Sequence, residues 1–537
     1  MPLLFSLISN FFVRDDVEAS LFIPNTSILF KQTTSTPQKC QSMGIENDIA
    51  EIVSATDSEM ELERASKDHQ RVYDSLRDCL NDLHNPENTP LSDDDVESMA
   101  TLIQTSMSGP ARDFHSTQHI FDISKGATPV QTLAALFHDI VYYNIDGGLN
   151  GTHAGFLKDV IVEEIKADGG ATISIGTSDS FRNGGDSKDW TVAMVLSVFG
   201  INPGQVLNPF GGLNELLSAI IAARSLKNKV SDKDLLRIIA CVEATIPFRG
   251  NDVGDILYSR LEKMNEPFGF AMDEDELIKA VQLAIDLGNR DVANFAHSPN
   301  KFLDNSWSLM PETNDSLRKK MWNSGEDFLV SDFTLAVKKM RGFFGFLNPE
   351  VVFHQFRGYP DDETFQNLVD GARDNLGLAQ KYMDGKMMCA SFMGSVAALT
   401  GGDTTVSYWA AKEDESDNCS KPATSCENVK MPELRIYENT DADERVFKLL
   451  DGSVDKEIGA FDIKQTATAP LLYGMMGDTA IKESLKFAAV PMDEENAKKF
   501  LKSLPKEALV PLLSTLCETC STSRRDEVAK ILTEFKD

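Results

Sequence analysis

The residues best suited to chemistry cluster in two segments, Phe114-His-Ser-Thr-Gln-His-Ile-Phe-Asp-Ile123 and Ala134-Ala-Leu-Phe-His-Asp-Ile140. The chain has only eight histidines in 537 residues, and three of them, His115, His119 and His138, fall here. On a helix His115 and His119 are one turn apart and Asp122 follows three residues later, so all three can project toward one face. His138 and Asp139 are adjacent, about 100° apart in a helix, and can straddle an ion approached from the side. Imidazole nitrogen plus carboxylate oxygen suits a borderline divalent ion such as Zn, Fe or Mn better than Ca. Asp122 is spaced to accept the second ring N–H of a ligating histidine. Leu133, Leu136 and Phe137 would keep such a site partly dry and so strengthen its electrostatics.

These side chains need helices to hold them. Pro129 opens one in which Val130, Leu133, Ala134, Phe137, Ile140 and Val141 recur at three and four residues, and the pattern runs on toward Asp146-Gly-Gly. Upstream, Met60 to Leu83 has helical spacing, and Ser92 with Asp95 three residues on marks a capped start. Residues 168 to 189, rich in Gly, Ser, Asn and Asp, read as a loop or insertion. Helices are predicted again at Trp190 to Phe199, Leu213 to Leu226, Ser231 to Ile246, Glu274 to Ala296 and Phe328 to Leu347, and strand-like alternation is scarce. The fold class is therefore all-α, helix packed on helix.

A chain of this length exceeds one compact core and suits a catalytic unit plus an accessory domain. Residues 1–42 read as a separate leader, a targeting or disordered segment, because the whole negative excess lies after them. Residues 43–400 form the expected catalytic domain. Residues 401–433, with Glu413-Asp-Glu-Ser-Asp417, have the composition of an acidic linker. Residues 434–537 form a smaller, mainly helical domain without histidine, with helices expected at Ala442 to Leu450, Glu494 to Leu504, Glu507 to Leu516 and Arg525 to Phe535.

Lys and Arg number 52 against 83 Asp and Glu, a formal charge of −31, which repels polyanions and argues against bulk nucleic acid or anionic membrane as a partner. It does not exclude a small anionic substrate, since a bound divalent ion reverses the local field. No apolar run reaches the roughly 20 residues of a membrane span. Eight cysteines scattered over the length are too sparse for a disulfide scaffold, so the sequence points to a reducing, intracellular setting, cytoplasmic or organellar. The pair Cys517-Glu-Thr-Cys520 then reads as two thiols on a helix.

The two histidine-bearing segments resemble the HD-domain metal-dependent phosphohydrolases, most closely the branch similar to cyclic-nucleotide phosphodiesterases. That signature is an aromatic residue, His, three residues, His, two residues and Asp, then a His-Asp pair on a later helix, and Phe114 to Ile123 with Ala134 to Asp139 follow it. The resemblance implies an HD-type helical bundle and a distant Asp ligand, for which Leu283-Ala-Ile-Asp-Leu-Gly-Asn289 is similar to the family's element. It assigns His119, His138, Asp139 and Asp286 to the metal and His115 to the general acid, with Asp139 bridging any second ion. It implies one or two divalent ions (Zn, Mn, Mg or Fe) and attack of a metal-bound hydroxide on a phosphoester of a small, nucleotide-like molecule. The sequence departs from the phosphodiesterases in two ways. Tyr142 stands where they carry a further His, and no counterpart of their purine-clamping glutamine is evident.

Other readings stay open. Asp286 also stands one turn before Arg290 and can simply pair with it, leaving Glu243 as the next carboxylate. Asn150 and His153 sit on a probable substrate-side loop or on plain surface; Asn289 and Asp291 either line the pocket or decorate a helix. The same ligand types would also serve a non-catalytic, metal-stabilised sensor or scaffold, or a di-iron oxygenase. The acidic C-terminal domain is a candidate for a protein partner.

Overall fold

The computed structural model describes residues 46–83, 91–109, 112–165, 171–178, 181, 187–208, 211–314, 317, 328–405, 408, 429–453, 467–520 and 522–536. The leader expected at residues 1–42 and residues 406–407 and 409–428 of the expected acidic linker lie outside them. Among the described residues the chain is helical apart from one antiparallel hairpin, β1 (Ile161–Ile165) with β2 (Ala171–Ile175), registered Glu163 to Ile173. β2 falls inside the stretch expected to be a loop. Its Thr172, Ile173 and Ile175 are good strand formers, and Ser174 bridges onward to Val206, so local pairing overrode the polar composition around it.

The N-terminal half contains α1 (Glu46–Asp82), α2 (Asp93–Met107), α3 (Thr117–Ser124), α4 (Pro129–Phe137), α5 (Gly151–Leu157), α6 (Trp190–Phe199), α7 (Leu213–Leu226), α8 (Asp232–Ala244), α9 (Val253–Asn265) and α10 (Glu274–Asp291). Their starts are chemically explicit. The Ser92 hydroxyl accepts the Asp95 N–H at 3.1 Å, and Thr128 with Gln131 forms a reciprocal cap in front of Pro129. Asp273 and Glu276 do the same for α10. The apolar stripes of these helices close one core around Leu136, Phe137, Leu217, Ile221, Ile239 and Val281, all 0% exposed.

The rest comprises α11 (Pro299–Glu312), α12 (Val330–Phe346), α13 (Asp362–Leu399), α14 (Glu444–Leu450), α15 (Thr468–Ser484), α16 (Glu494–Ser503), α17 (Lys506–Thr519) and α18 (Arg525–Lys536). Helix α13, 38 residues long, is the spine against which α12, α14, α15 and α16 pack. Its Tyr382, Met388 and Val396 share one second core with Trp307 of α11 and with Val446, Tyr473, Phe500 and Leu513 from the C-terminal helices. The expected independence of residues 434–537 is thus corrected. Those helices bury their apolar faces on α13, inside the span assigned to the catalytic unit, and the change of core falls near residues 287–295 rather than at the acidic segment.

Cys79, Cys241 and Cys520 are buried free thiols, whereas Cys517 is disulfide-bonded, so the reading of the Cys517 and Cys520 pair as two thiols fails at Cys517. No helix among the described residues is long and apolar enough to cross a membrane.

Candidate metal centre

Ser116, in extended conformation, is the N-cap of α3, which places His119 in the first turn of the helix and leaves His115 just ahead of it. His115 and His119 therefore do not share a helical face as their spacing suggested. They are brought together by the turn into α3 and by the Phe114 ring, whose centroid is 4.9 Å from the one and 5.0 Å from the other.

Helix α4 stops at Phe137, earlier than its apolar pattern implied, so His138 is its C-cap and Asp139 lies in the turn beyond. This early stop matters for both side chains. The His138 N–H still bonds the Ala134 carbonyl, while its ring Nδ1–H donates to the Ala135 carbonyl at 2.8 Å. That bond fixes the ring's orientation and aims Nε2 into the cluster, where no neighbour is aligned for a hydrogen bond although the residue is 1% exposed. Asp139 Oδ2 lies 2.8 Å from this Nε2, 3.8 Å from His119 Nε2 and 4.0 Å from His115 Nε2.

Asp291 offers a fourth candidate donor. Its Oδ1 is 3.0 Å from His119 Nε2 and 3.5 Å from His138 Nε2. Asp286, expected in this place, faces another way. Five residues along a helix is a rotation of about 140°, and the Asp286 carboxylate accepts bonds from Gln131 Nε2 at 2.8 Å, Arg290 Nε at 2.7 Å and Tyr359 Oη at 3.3 Å. The pairing with Arg290, open from the sequence, is the one the fold adopts.

The remaining candidates disperse. Asp122 is exposed and its carboxylate accepts a bond from Gln118 Nε2 at 2.9 Å. Asn150 caps α5 by accepting the His153 N–H at 2.8 Å, and His153 is buried with Nε2 2.8 Å from Ser106 Oγ, so both are structural. Glu243 is buried beneath Arg249 and Arg260 at 2.6 and 3.0 Å. Asn289 exchanges two 2.8 Å bonds with the His354 backbone and ties α10 to the following chain.

Sequence reasoning missed Glu312, the last residue of α11, which is 0% exposed. One carboxylate oxygen accepts the Phe114 and His115 backbone N–H groups at 2.7 and 3.0 Å, and the other pairs with His115 Nδ1. It comes from the second core, nearly 200 residues away in sequence, and no local pattern marks it. Glu215, in the first turn of α7, was also missed. It is 4% exposed, and its Oε2 has no hydrogen-bond partner. Burial, reinforced by the Asp139 and Asp291 charges, pushes its carboxyl up to about 7. Tyr142 lies edge-on to His115 at 4.7 Å, and burial with the nearby Glu312 and Asp139 charges holds its phenol well above the usual range.

The electrostatics are those of a site built for positive charge. Burial disfavours charge on Asp139, yet His138 and His115 outweigh it and hold that carboxyl well below the usual range. Asp291 behaves alike, its burial outweighed by His119 and His138. Burial likewise opposes a charged His138 and is outweighed by Asp139 and Asp291, so the ring is held well above its ordinary value. In the absence of any other cation a proton satisfies the field at Nε2, and a metal ion would compete with it.

His119, His138 and Asp139 keep one donor atom each within 4.8 Å of the others, and Asp291 stands beside the two imidazoles. Ligand bonds of about 2.1 Å place adjacent donors about 3.0 Å apart around an octahedral ion and about 3.4 Å apart around a tetrahedral one. The four imidazole-to-carboxylate distances span 2.8 to 3.8 Å. Two imidazoles and the Asp139 carboxylate, with Asp291 as a further candidate, are donor types that suit a borderline divalent ion. Compared with protein-family models, with curated proteins and with solved structures, the chain matches none of them.

Proposed function

We propose that the chain is a metal-dependent hydrolase of a small phosphoester, nucleotide-like by its resemblance to the HD-domain enzymes, with His119, His138, Asp139 and Asp291 as the ligands. The observation that carries this reading is the buried, hydrogen-bond-free His138 Nε2 at the meeting point of His119, Asp139 and Asp291. A divalent ion held there supplies an acidified water and a Lewis acid for a phosphoryl oxygen.

The protein supplies the proton. His115 presents Nε2 toward Asp139 while Nδ1 is held by Glu312. Its pKa is raised: burial acts against the charged ring, and Glu312 and Asp139 outweigh it. An imidazolium so oriented is suited to protonate the leaving oxygen of an ester, a step worth about 10²–10⁴-fold. Phe114 and Tyr142 pack around it and keep water from competing for that proton. Glu312 orients the ring much as a carboxylate orients a catalytic histidine elsewhere.

The test combines elemental analysis of the purified protein with hydrolysis of bis(p-nitrophenyl) phosphate and p-nitrophenyl phosphate by wild type, Asp139→Ala and His115→Asn. The expected result is near-stoichiometric metal, turnover lost in the first variant with its metal, and turnover lost in the second with metal retained. Metal without turnover in the wild type would shift the reading to the oxygenase or scaffold classes; no metal would remove it.

A further inference from the structure

Three residues ahead of His115 the chain buries an arginine. The Arg112 side chain is 0% exposed, and its Nε and Nη2 grip both oxygens of Asp146 at 2.8 and 2.6 Å. Its Nη1 donates to the backbone carbonyl of Asp139 at 2.6 Å and lies 3.3 Å from Met107 Sδ on α2. Asp146 in turn accepts the Tyr142 N–H at 3.1 Å. One ion pair thus fastens both ends of the turn from Asp139 to Asp146 to the segment that leads into His115 and His119.

We propose that Arg112 and Asp146 are a positioning pair that sets the Asp139 carboxylate against the His119 and His138 imidazoles. The proposal rests on the metal reading above and deepens it. An ion pair that takes a fully buried arginine out of water gains little stability over well-packed apolar side chains of similar volume, so stability alone does not account for it. The contact to the Asp139 carbonyl does, because that residue follows the end of α4 and has no helix to hold it. Donor spacings of 2.8 to 3.8 Å leave little room for a turn that moves. The planar fork is needed, since only a guanidinium can bind two carboxylate oxygens and a third acceptor at fixed angles, which a lysine ammonium cannot.

Two variants test it, Arg112→Lys and the apolar replacement Arg112→Met with Asp146→Leu. Co(II) affinity is measured by chelator competition together with the visible spectrum of the bound ion, and folding by urea unfolding in EDTA. We expect the metal-free unfolding midpoint of the double variant to stay near that of the wild type while the Co(II) Kd rises about 10- to 100-fold and the spectrum changes, with Arg112→Lys moving in the same direction. Wild-type affinity and spectrum in both variants would overturn the proposal, as would an affinity loss that merely tracks loss of the metal-free fold in both. A wild-type protein that takes up no Co(II) overturns the metal reading itself, and the positioning role with it.

Discussion

Asp286 and Asp291 share a helix and differ by five residues, yet their surroundings assign them different work. Asp291, last in α10, meets two buried imidazoles, while Asp286 meets a guanidinium, an amide and a phenol. Asp291→Asn is expected to weaken metal binding by about 100-fold or more, the upper end of what even indirect contacts to ligands cost. Asp286→Asn should leave it within a few-fold, because that carboxylate pairs outside the cluster. Titration of both variants with Zn(II) or Co(II) decides the point, and equal losses would return Asp286 to the ligand set. The same cluster explains a direction in pH. His138 is held charged by Asp139 and Asp291 when no ion is present, so protons and metal compete for one lone pair and affinity falls on acidification.

At the level of elements, the delivery of Asp291 depends on how closely α10 approaches α8. Gly288 is the contact: a Cβ there would lie 2.5 Å from the Ala244 carbonyl oxygen and 3.2 Å from its carbon, both backbone atoms that cannot swing aside. Gly288→Ala should destabilise the fold by about 1–3 kcal/mol through overpacking, more than the roughly 1 kcal/mol of helix propensity it gains. Metal affinity should drop with it, since Asp291 follows three residues later. Gly377→Ala in α13 is the matched control. Nothing stands within 4 Å of the place its Cβ would take, so the substitution should be neutral or stabilising. Urea unfolding of the two variants reads the contrast directly.

The described residues form two large cores, and the His/Asp cluster lies where they meet, because Glu312 reaches from the second to hold His115 beside the first. The C-terminal helices complete that second core. A chain ending at residue 433 would expose α13 and lose the partners of Tyr382 and Met388, so we expect it to aggregate rather than yield a compact active unit, as sedimentation and turnover would show. Acid stability is a property of the same scale. Burial lowers both His153 and His354 to about 4, with Arg112 and Arg249 adding to the effect respectively. Above pH 6.5 both states hold these rings neutral. Between 6.5 and 4 the unfolded chain takes up protons that the fold refuses, so stability is lost across that window, on the order of 3 kcal/mol for each ring. His354→Leu should remove part of the loss in urea midpoint between pH 7 and 4.5; an unchanged slope would assign it to other groups.

The sequence by itself determined most of the helices and three of the four candidate donors. Trp190–Phe199 and Leu213–Leu226 stand where the pattern put them, since apolar residues at three- and four-residue spacing and capping side chains act locally. His119, His138 and Asp139 were legible because their types and spacing are themselves local. Only the tertiary structure decided the rest. Which of two carboxylates on α10 faces the cluster depends on the rotation of that helix against α8, and periodicity does not fix a rotation when both sides carry polar residues. Where α4 ends, and hence how His138 and Asp139 aim, depends on what packs beyond Phe137. Glu312 and Arg112 act through contacts with residues far away in the chain or through a backbone carbonyl, and such partners leave no spacing to read. Helix α13 escaped notice for a related reason: buried along much of its length and contacted on several sides, it lacks the one-sided apolar stripe by which an amphipathic helix is recognised.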